Sequence, residues 1–247
     1  MADYNHIRTA GTATRSAAVD EGLRAYMNKV YSLMAVAMVV TAGAAWAISG
    51  LAQNPDGTLT SLGAAIYTSP LRWVIMFAPL LVVFAFGAML NRLSVSAATT
   101  VFYGFAALMG VSISWIFMVY TSYSIIQTFL VTAAAFAGLS LYGYTTKRDL
   151  SGMGTFLMMG LIGLIIASIV NIFLQSSAMQ FAISAIGVLI FAGLTAFDTQ
   201  NIKNTYLQMA NSDSDFIGKT AIMGALQLYL DFLNLFMFLL QFMGNRE

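Results

Sequence analysis

The stretch Ala225-Leu-Gln-Leu-Tyr-Leu-Asp-Phe-Leu-Asn-Leu-Phe236 sets an acid, Asp231, in the middle of an otherwise oily run. A second acid, Asp198, sits likewise in Ile190-Phe-Ala-Gly-Leu-Thr-Ala-Phe-Asp-Thr-Gln200. Gln227, Asp231, Asn234 and, further on, Gln241 are spaced four, three and seven apart, so all four share one face of a helix. Leu, Phe and Met fill the other faces. Such a stripe must turn toward other helices or water, because lipid offers its polar groups no partner. A carboxylate in hydrocarbon costs roughly 2.5–3.5 kcal/mol even on lenient insertion scales. The helix is therefore expected to turn this face into a bundle, and its acid is a candidate functional residue.

Composition places the whole chain in the membrane. The 247 residues are 59% hydrophobic and only 9% charged, with a mean hydropathy of +0.79. Soluble domains carry roughly 25% charged residues, so a water-soluble globule is excluded. A net charge of +1 gives no attraction to nucleic acid, which is not expected as a partner. The absence of cysteine removes disulfides, thiolate metal sites and Cys nucleophiles. The sole histidine, His6, lies in the polar N-terminal segment with no second His or Cys to complete a metal site. No enzymatic activity and no tightly bound cofactor are expected.

Seven apolar stretches can each cross about 30 Å of hydrocarbon. They lie near 30–51, 72–91, 95–119, 124–144, 153–174, 178–200 and 220–243. Residues 93–146 form a run of 54 uncharged residues and 150–197 a run of 48, each suited to two helices. The breaks fall at Thr121-Ser-Tyr-Ser124 and Gln175-Ser-Ser177. Asn54-Pro55-Asp56-Gly57 marks a turn-rich loop at 52–71, residues 201–219 read as a polar loop, and Pro79 is expected to kink the second span. With the N-terminus inside, nine basic residues fall on the cytoplasmic side: Arg8, Arg15, Arg24, Lys29, Arg92, Lys147, Arg148, Lys203 and Lys219. Only Arg72 and Arg246, two residues, fall opposite. The positive-inside rule then predicts the N-terminus in and the C-terminus out. Residues 1–29 read as a cytoplasmic tail, disordered at first and ending in a short interfacial helix at 18–30, where Val19, Leu23, Met27 and Val30 recur at helical spacing. Residues 30–244 form the membrane domain.

In the sixth span, Ser184, Gly187, Phe191, Thr195 and Asp198 share a face whose small and hydroxyl residues suit close helix approach. Ser112, Ser114, Ser168 and Asn171 are further buried polar candidates. Asp198 stands five residues before Lys203, roughly 8 Å below the cytoplasmic surface. Asp231 precedes Gly244 by thirteen residues, which leaves it roughly 10 Å from the same surface. The two acids can therefore meet. Paired carboxylates in low dielectric do not both ionise cheaply, so one proton is shared between them. Such a pair holds two helices together when neutral or singly charged and drives them apart when doubly charged. It also offers hard oxygens to Ca²⁺. A purely structural hydrogen-bonded knot is the alternative. Arg92 closes the second span on the same side, either as a partner to the acids or as an arginine snorkelling to the surface. Gln227, Asn234 and Thr195 are expected to line the polar interior.

Three segments carry a family resemblance: Phe-Asp-Thr-Gln-Asn-Ile-Lys at 197–203, Leu-Tyr-Leu-Asp-Phe-Leu-Asn-Leu-Phe at 228–236, and Lys147-Arg-Asp-Leu-Ser151. They are similar to the Bax inhibitor-1 family, also called the transmembrane Bax-inhibitor-motif family, over residues 24–244. The resemblance implies an all-α fold of seven transmembrane helices with the last helix central and wrapped by the other six. It further implies a pH-sensitive Ca²⁺ leak channel, with Asp198 and Asp231 as the proton sensor and Arg92 as the arginine that latches the closed state. Calcium is then the permeant ion. The absence of cysteine and the short C-terminal segment, Gly244-Asn-Arg-Glu247, suit a bacterial inner-membrane member.

Other functions divide on particular residues. A non-transporting regulator of a membrane protease, as some bacterial relatives are known to be, would use the N-terminal tail as a grip. An intramembrane aspartyl protease would also use two acids, but Asp231 stands in Leu-Tyr-Leu-Asp rather than in Gly-x-Gly-Asp. A retinal protein would need a lysine within the seventh span for the Schiff base, and residues 220–243 contain none.

Overall fold

The computed structural model describes residues 3–210 and 212–245, and it is helical almost throughout. Helix α1 spans Asp3–Ala52, α2 Ser61–Tyr67, α3 Leu71–Met89, α4 Val95–Ile113, α5 Ile116–Val119, α6 Ser122–Thr145, α7 Ser151–Leu174, α8 Ser177–Met209 and α9 Ser214–Met243. A 3-10 turn, Leu90–Arg92, follows α3. Seven of these segments are long and apolar enough to cross a bilayer, with α4 and α5 together making one.

Local chemistry fixes where the helices begin. Four of the re-entry points are capped by a side chain that accepts the N–H three residues on. They are Ser94 from Ala97 (3.2 Å), Thr121 from Ser124 (3.2 Å), Ser176 from Met179 (3.3 Å) and Asp213 from Phe216 (2.7 Å). Each satisfies an N–H that the first turn leaves without an intrahelical partner. Ahead of α7 the Asp149 carboxylate accepts the Ser151 N–H (2.9 Å), and the Ser151 side chain and backbone hold Asp149 below the usual carboxylate range. Asp56 is lowered in the same way by the hydroxyl and then the backbone N–H of Thr58, inside the turn that Gly57 closes at a φ of 81°.

Helix α9 is the axis of the bundle. It packs against α8, α1, α6 and α4, and 61% of its apolar stretch is buried inside the protein, against 11% to 44% for the other spans. The largest fully buried side chain is its Tyr229. The Tyr229 hydroxyl lies 2.7 Å from Thr41 Oγ1 on α1, and its ring takes edge contacts from Phe102 and Phe105 of α4. Helix α7 leans on α8, and α3 leans on α4 at the rim of the bundle, facing lipid. Close crossings depend on glycine. Gly110 sits on the α1 backbone at Thr41, and Gly143 on the α8 backbone at Ala196, and neither site has room for a Cβ.

Several sequence expectations change. Residues 201–219 are not a loop: α8 continues to Met209, α9 begins at Ser214, and only 210–213 connect them. The extension is polar outside yet buries Ile202 and Tyr206, one helical turn apart, against α1 and α9. Residues 18–30 do not form a separate surface helix. They continue α1 directly, and Leu23, Tyr26, Met27 and Val30 are buried in the main core, with Tyr26 against Tyr206 at 4.9 Å between ring centroids. The expected disordered tail is helical backbone from Asp3 onward. The loop at 52–71 contains the short helix α2, tied to the α4 end by Tyr67 and Ser114 at 2.8 Å. Pro79 lies within α3 and does not end it. Met1, Ala2 and Arg246 lie outside the described residues.

Candidate functional site

Antiparallel pairing of α8 and α9 sets the register of the site. Ile202 lies against Gly224, Gly187 against Phe238, and Gln180 against Gln241. That register brings Asp198 to Asp231, with their carboxyl groups within hydrogen-bonding reach. Asp231 is 5% exposed and Asp198 half-buried. One oxygen of Asp231, Oδ2, is buried without a hydrogen-bond partner in the protein.

Both acids open onto a cavity of about 730 Å³. Asn201 from α8 and Gln227 and Asn234 from α9 share its wall, and α7 and Leu80 of α3 form the side toward lipid. Helical spacing explains the set: 198 and 201 are one turn apart on α8, as are 227, 231 and 234 on α9. No basic side chain among the described residues lines the cavity. Asn234 Nδ2 donates to the Leu230 carbonyl (2.8 Å), which leaves its Oδ1 as an acceptor. No cluster of three or more His, Cys, Asp or Glu side chains occurs among the described residues. The donor set is thus two carboxylates and three amide oxygens. It fits a hard cation such as Ca²⁺ that keeps part of its water shell, and it offers nothing soft for Zn²⁺ or copper.

Along the α9 stripe, one turn past Asn234, stands Phe238. Its ring sits on Gly187 and stacks on Phe191, with centroids 5.7 Å apart. Beyond it Gln241 enters a cluster of amides. Gln180 Nε2 donates to Gln241 Oε1 (2.8 Å), Asn171 Nδ2 donates to Gln180 Oε1 (3.2 Å), and Asn171 Oδ1 accepts the Ser176 N–H (3.1 Å). The polar stripe read from the sequence is therefore two polar groups separated by one aromatic ring.

Two expected site residues lie elsewhere. Thr195 is fully buried but does not line the cavity; its hydroxyl donates to the Phe191 carbonyl (2.8 Å). It stands one turn before Thr199, whose hydroxyl lies 2.7 Å from the Thr195 carbonyl, on the side of α8 where Thr199 meets Ser140 of α6. Arg92 is exposed at the end of the 3-10 turn and makes no ion pair with either acid. Asn201, conversely, reaches the cavity although the sequence reading left it in a loop. Its signal was the three-residue step from Asp198. Gln200 was also missed: it accepts the Leu150 N–H (2.8 Å) and donates to the Arg148 carbonyl (2.7 Å), which pins the α6–α7 connection.

The model of the family described as inhibitor of apoptosis-promoting Bax1 matches residues 23–247. An uncharacterized protein of Rickettsia prowazekii (strain Madrid E) is 44% identical over 248 residues, covering 100% of both chains. Inner membrane protein YbhL of Escherichia coli (strain K12) is 45% identical over 226 residues, 92% of this chain and 94% of its own. The uncharacterized protein YrjE of Lactococcus lactis is 39% identical over 225 residues, 91% of this chain and 92% of its own. Seven apolar helices and an inner-membrane relative of nearly equal length agree on a multi-pass protein of the bacterial inner membrane. With the motif-bearing helices α8 and α9 paired at its centre, the chain belongs to the Bax inhibitor-1 family.

Proposed function

We propose that this protein is a calcium leak pathway of the bacterial inner membrane, gated by protons at the Asp198–Asp231 pair, with no enzymatic activity. The observation that carries this reading is the meeting of the two acids in a largely apolar cavity of about 730 Å³ that also holds the amides of Asn201, Gln227 and Asn234 and, among the described residues, no basic side chain. A cation entering it exchanges water for carboxylate and amide oxygens. A proton shared by the pair competes with the cation and draws α8 and α9 together; its loss leaves two like charges in low dielectric, which repel. The basic-residue split supports an orientation with the N-terminus and the acid pair toward the cytoplasm. Arg92 acts as a latch only if the end of α3 moves inward, and its exposed position corresponds to the unlatched arrangement.

The test is Ca²⁺ flux into liposomes as a function of pH for the wild type and for Asp198→Asn and Asp231→Asn. Flux that varies with pH in the wild type, and loses that dependence in both variants, is expected. Unchanged flux and unchanged pH response in both variants would end the proposal. A regulator that binds a membrane protease is the second reading, with the N-terminal segment as the part a partner would grip. Deleting residues 2–18 leaves flux intact if the first reading holds, and removes only the partner's regulation if the second does.

A further inference from the structure

On the side of α8 away from the acids, α1 and α6 each pack on α8 and α9 but not firmly on one another. Between them lies a groove of about 650 Å³. Arg24, Asn28 and Tyr31 of α1 line one wall, and Phe136, Ser140 and Tyr144 are among the α6 residues lining the other. The groove faces the bilayer, since Leu141 at its edge is 63% exposed. Its polar end is level with Asp198: Tyr31 bonds Ser140 (2.7 Å), and Ser140 bonds Thr199 (2.9 Å), the residue after that acid. Toward the opposite face of the membrane, α1 and α6 border a second cavity of about 350 Å³, lined almost wholly by apolar side chains such as Met38, Ile125 and Phe129.

We propose that this groove is a binding site for one anionic phospholipid, with its phosphate at Arg24. The chemistry of the mouth is that of a donor set. Arg24 is exposed and has no ion pair among the described residues. The Asn28 amide and the Tyr144 hydroxyl, which makes no hydrogen bond among the described residues, stand beside it to meet phosphate and ester oxygens. Lys203 adds a second positive charge behind Tyr144, with its ammonium bonded to the Tyr144 carbonyl (2.7 Å) and lying over the ring. No carboxylate among the described residues lines the groove; Asp20 and Glu21 are exposed on the preceding turn of α1. A headgroup carrying its own cation meets repulsion from Arg24 and Lys203, whereas phosphatidylglycerol does not. Below the mouth, Phe136, Ala137 and Leu141 offer an acyl chain an apolar channel. The site does not depend on ion conduction.

The experiment follows thermal unfolding and native mass spectrometry of the full chain in a neutral maltoside detergent, with phosphatidylglycerol or phosphatidylcholine added at equal ratio. The wild type is expected to gain more in Tm from phosphatidylglycerol and to retain one copy of it. Arg24→Gln is expected to weaken that retention about fivefold, the effect of one basic residue near an anionic headgroup. Lys147→Gln, an exposed cation outside the groove, keeps the wild-type preference. Ala137→Trp fills the channel and removes the bound lipid; if it fails to fold, the Arg24 and Lys147 pair decides alone. Equal stabilisation of the wild type by both lipids overturns the proposal. So does an undiminished preference in Arg24→Gln, or an equal loss in Lys147→Gln.

Discussion

Tyr229 and Thr41 join the central helix to the first at full burial. Thr41 has one proton to give, and the carbonyls of Ala37 and Ala106 both lie 2.9 Å from its oxygen, so Tyr229 is the donor in their mutual bond. Tyr229→Phe keeps the ring contacts with Phe102 and Phe105 and removes only this bond. The expected loss is about 1 kcal/mol of stability, read as a lower Tm in detergent. Tyr229→Ala also empties the ring's volume and is expected to cost about 3–5 kcal/mol. At this scale the sequence was most legible where polarity contrasted with its surroundings. Asp198, Asp231, Gln227 and Asn234 all reach one cavity because each interrupts an apolar run, and an interruption in lipid has to be housed. Thr195 misled because a hydroxyl can satisfy itself on the carbonyl one turn back, so its presence does not mark a polar wall.

Among the elements, the polar face of α9 was read correctly from its periodicity, while its start at Ser214 and the ends of α1 and α8 were not. Falling hydropathy after Gln200 marks the end of the apolar span, not of the helix. Hydropathy reports where the bilayer ends; the helix continues while one face still finds apolar neighbours, as Ile202 and Tyr206 do. The true stop lies at the connection 210–213, where Asp213 caps α9. The α8–α9 register also gives Phe238 its place. On α9 it is the aromatic ring between the acid cavity and the amides at Gln241, backed by Phe191 of α8, and apolar constrictions oppose ion passage by excluding water. On the proposed leak pathway, Phe238→Ala is expected to raise Ca²⁺ flux several-fold at the pH of lowest wild-type flux. Phe242→Ala, at the exposed end of the same helix, should leave it unchanged. Equal flux in wild type and Phe238→Ala would show that the ring does not limit passage.

For the whole molecule, the number of spans and the pairing of the acids followed from the sequence, because charge-free length and helix depth are additive along a chain. The orientation rests on basic residues, which are read against an insertion machinery outside the fold. It is tested directly in a chain without cysteine. Ser212→Cys, in the α8–α9 connection, and Asn54→Cys, in the α1–α2 loop, are both exposed. An impermeant maleimide applied to spheroplasts is expected to label Asn54→Cys and to spare Ser212→Cys until the membrane is opened. The reverse pattern would invert the topology.

The uninterrupted run of α8 past the acids also has a mechanical meaning. Eleven residues separate Asp198 from Met209, 209 − 198 along one continuous helix, or about 17 Å of rod. With α9 alongside, the proposed gating would make the two helices a lever whose fulcrum is the carboxyl pair. A tilt of about 10° at that fulcrum carries the tip by roughly 3 Å, the width of a hydrogen bond, through a rod that rises 1.5 Å per residue. Under the proposed gating, the protonation state of a pair enclosed in the bundle becomes a displacement at the membrane surface, where an aqueous neighbour can feel it.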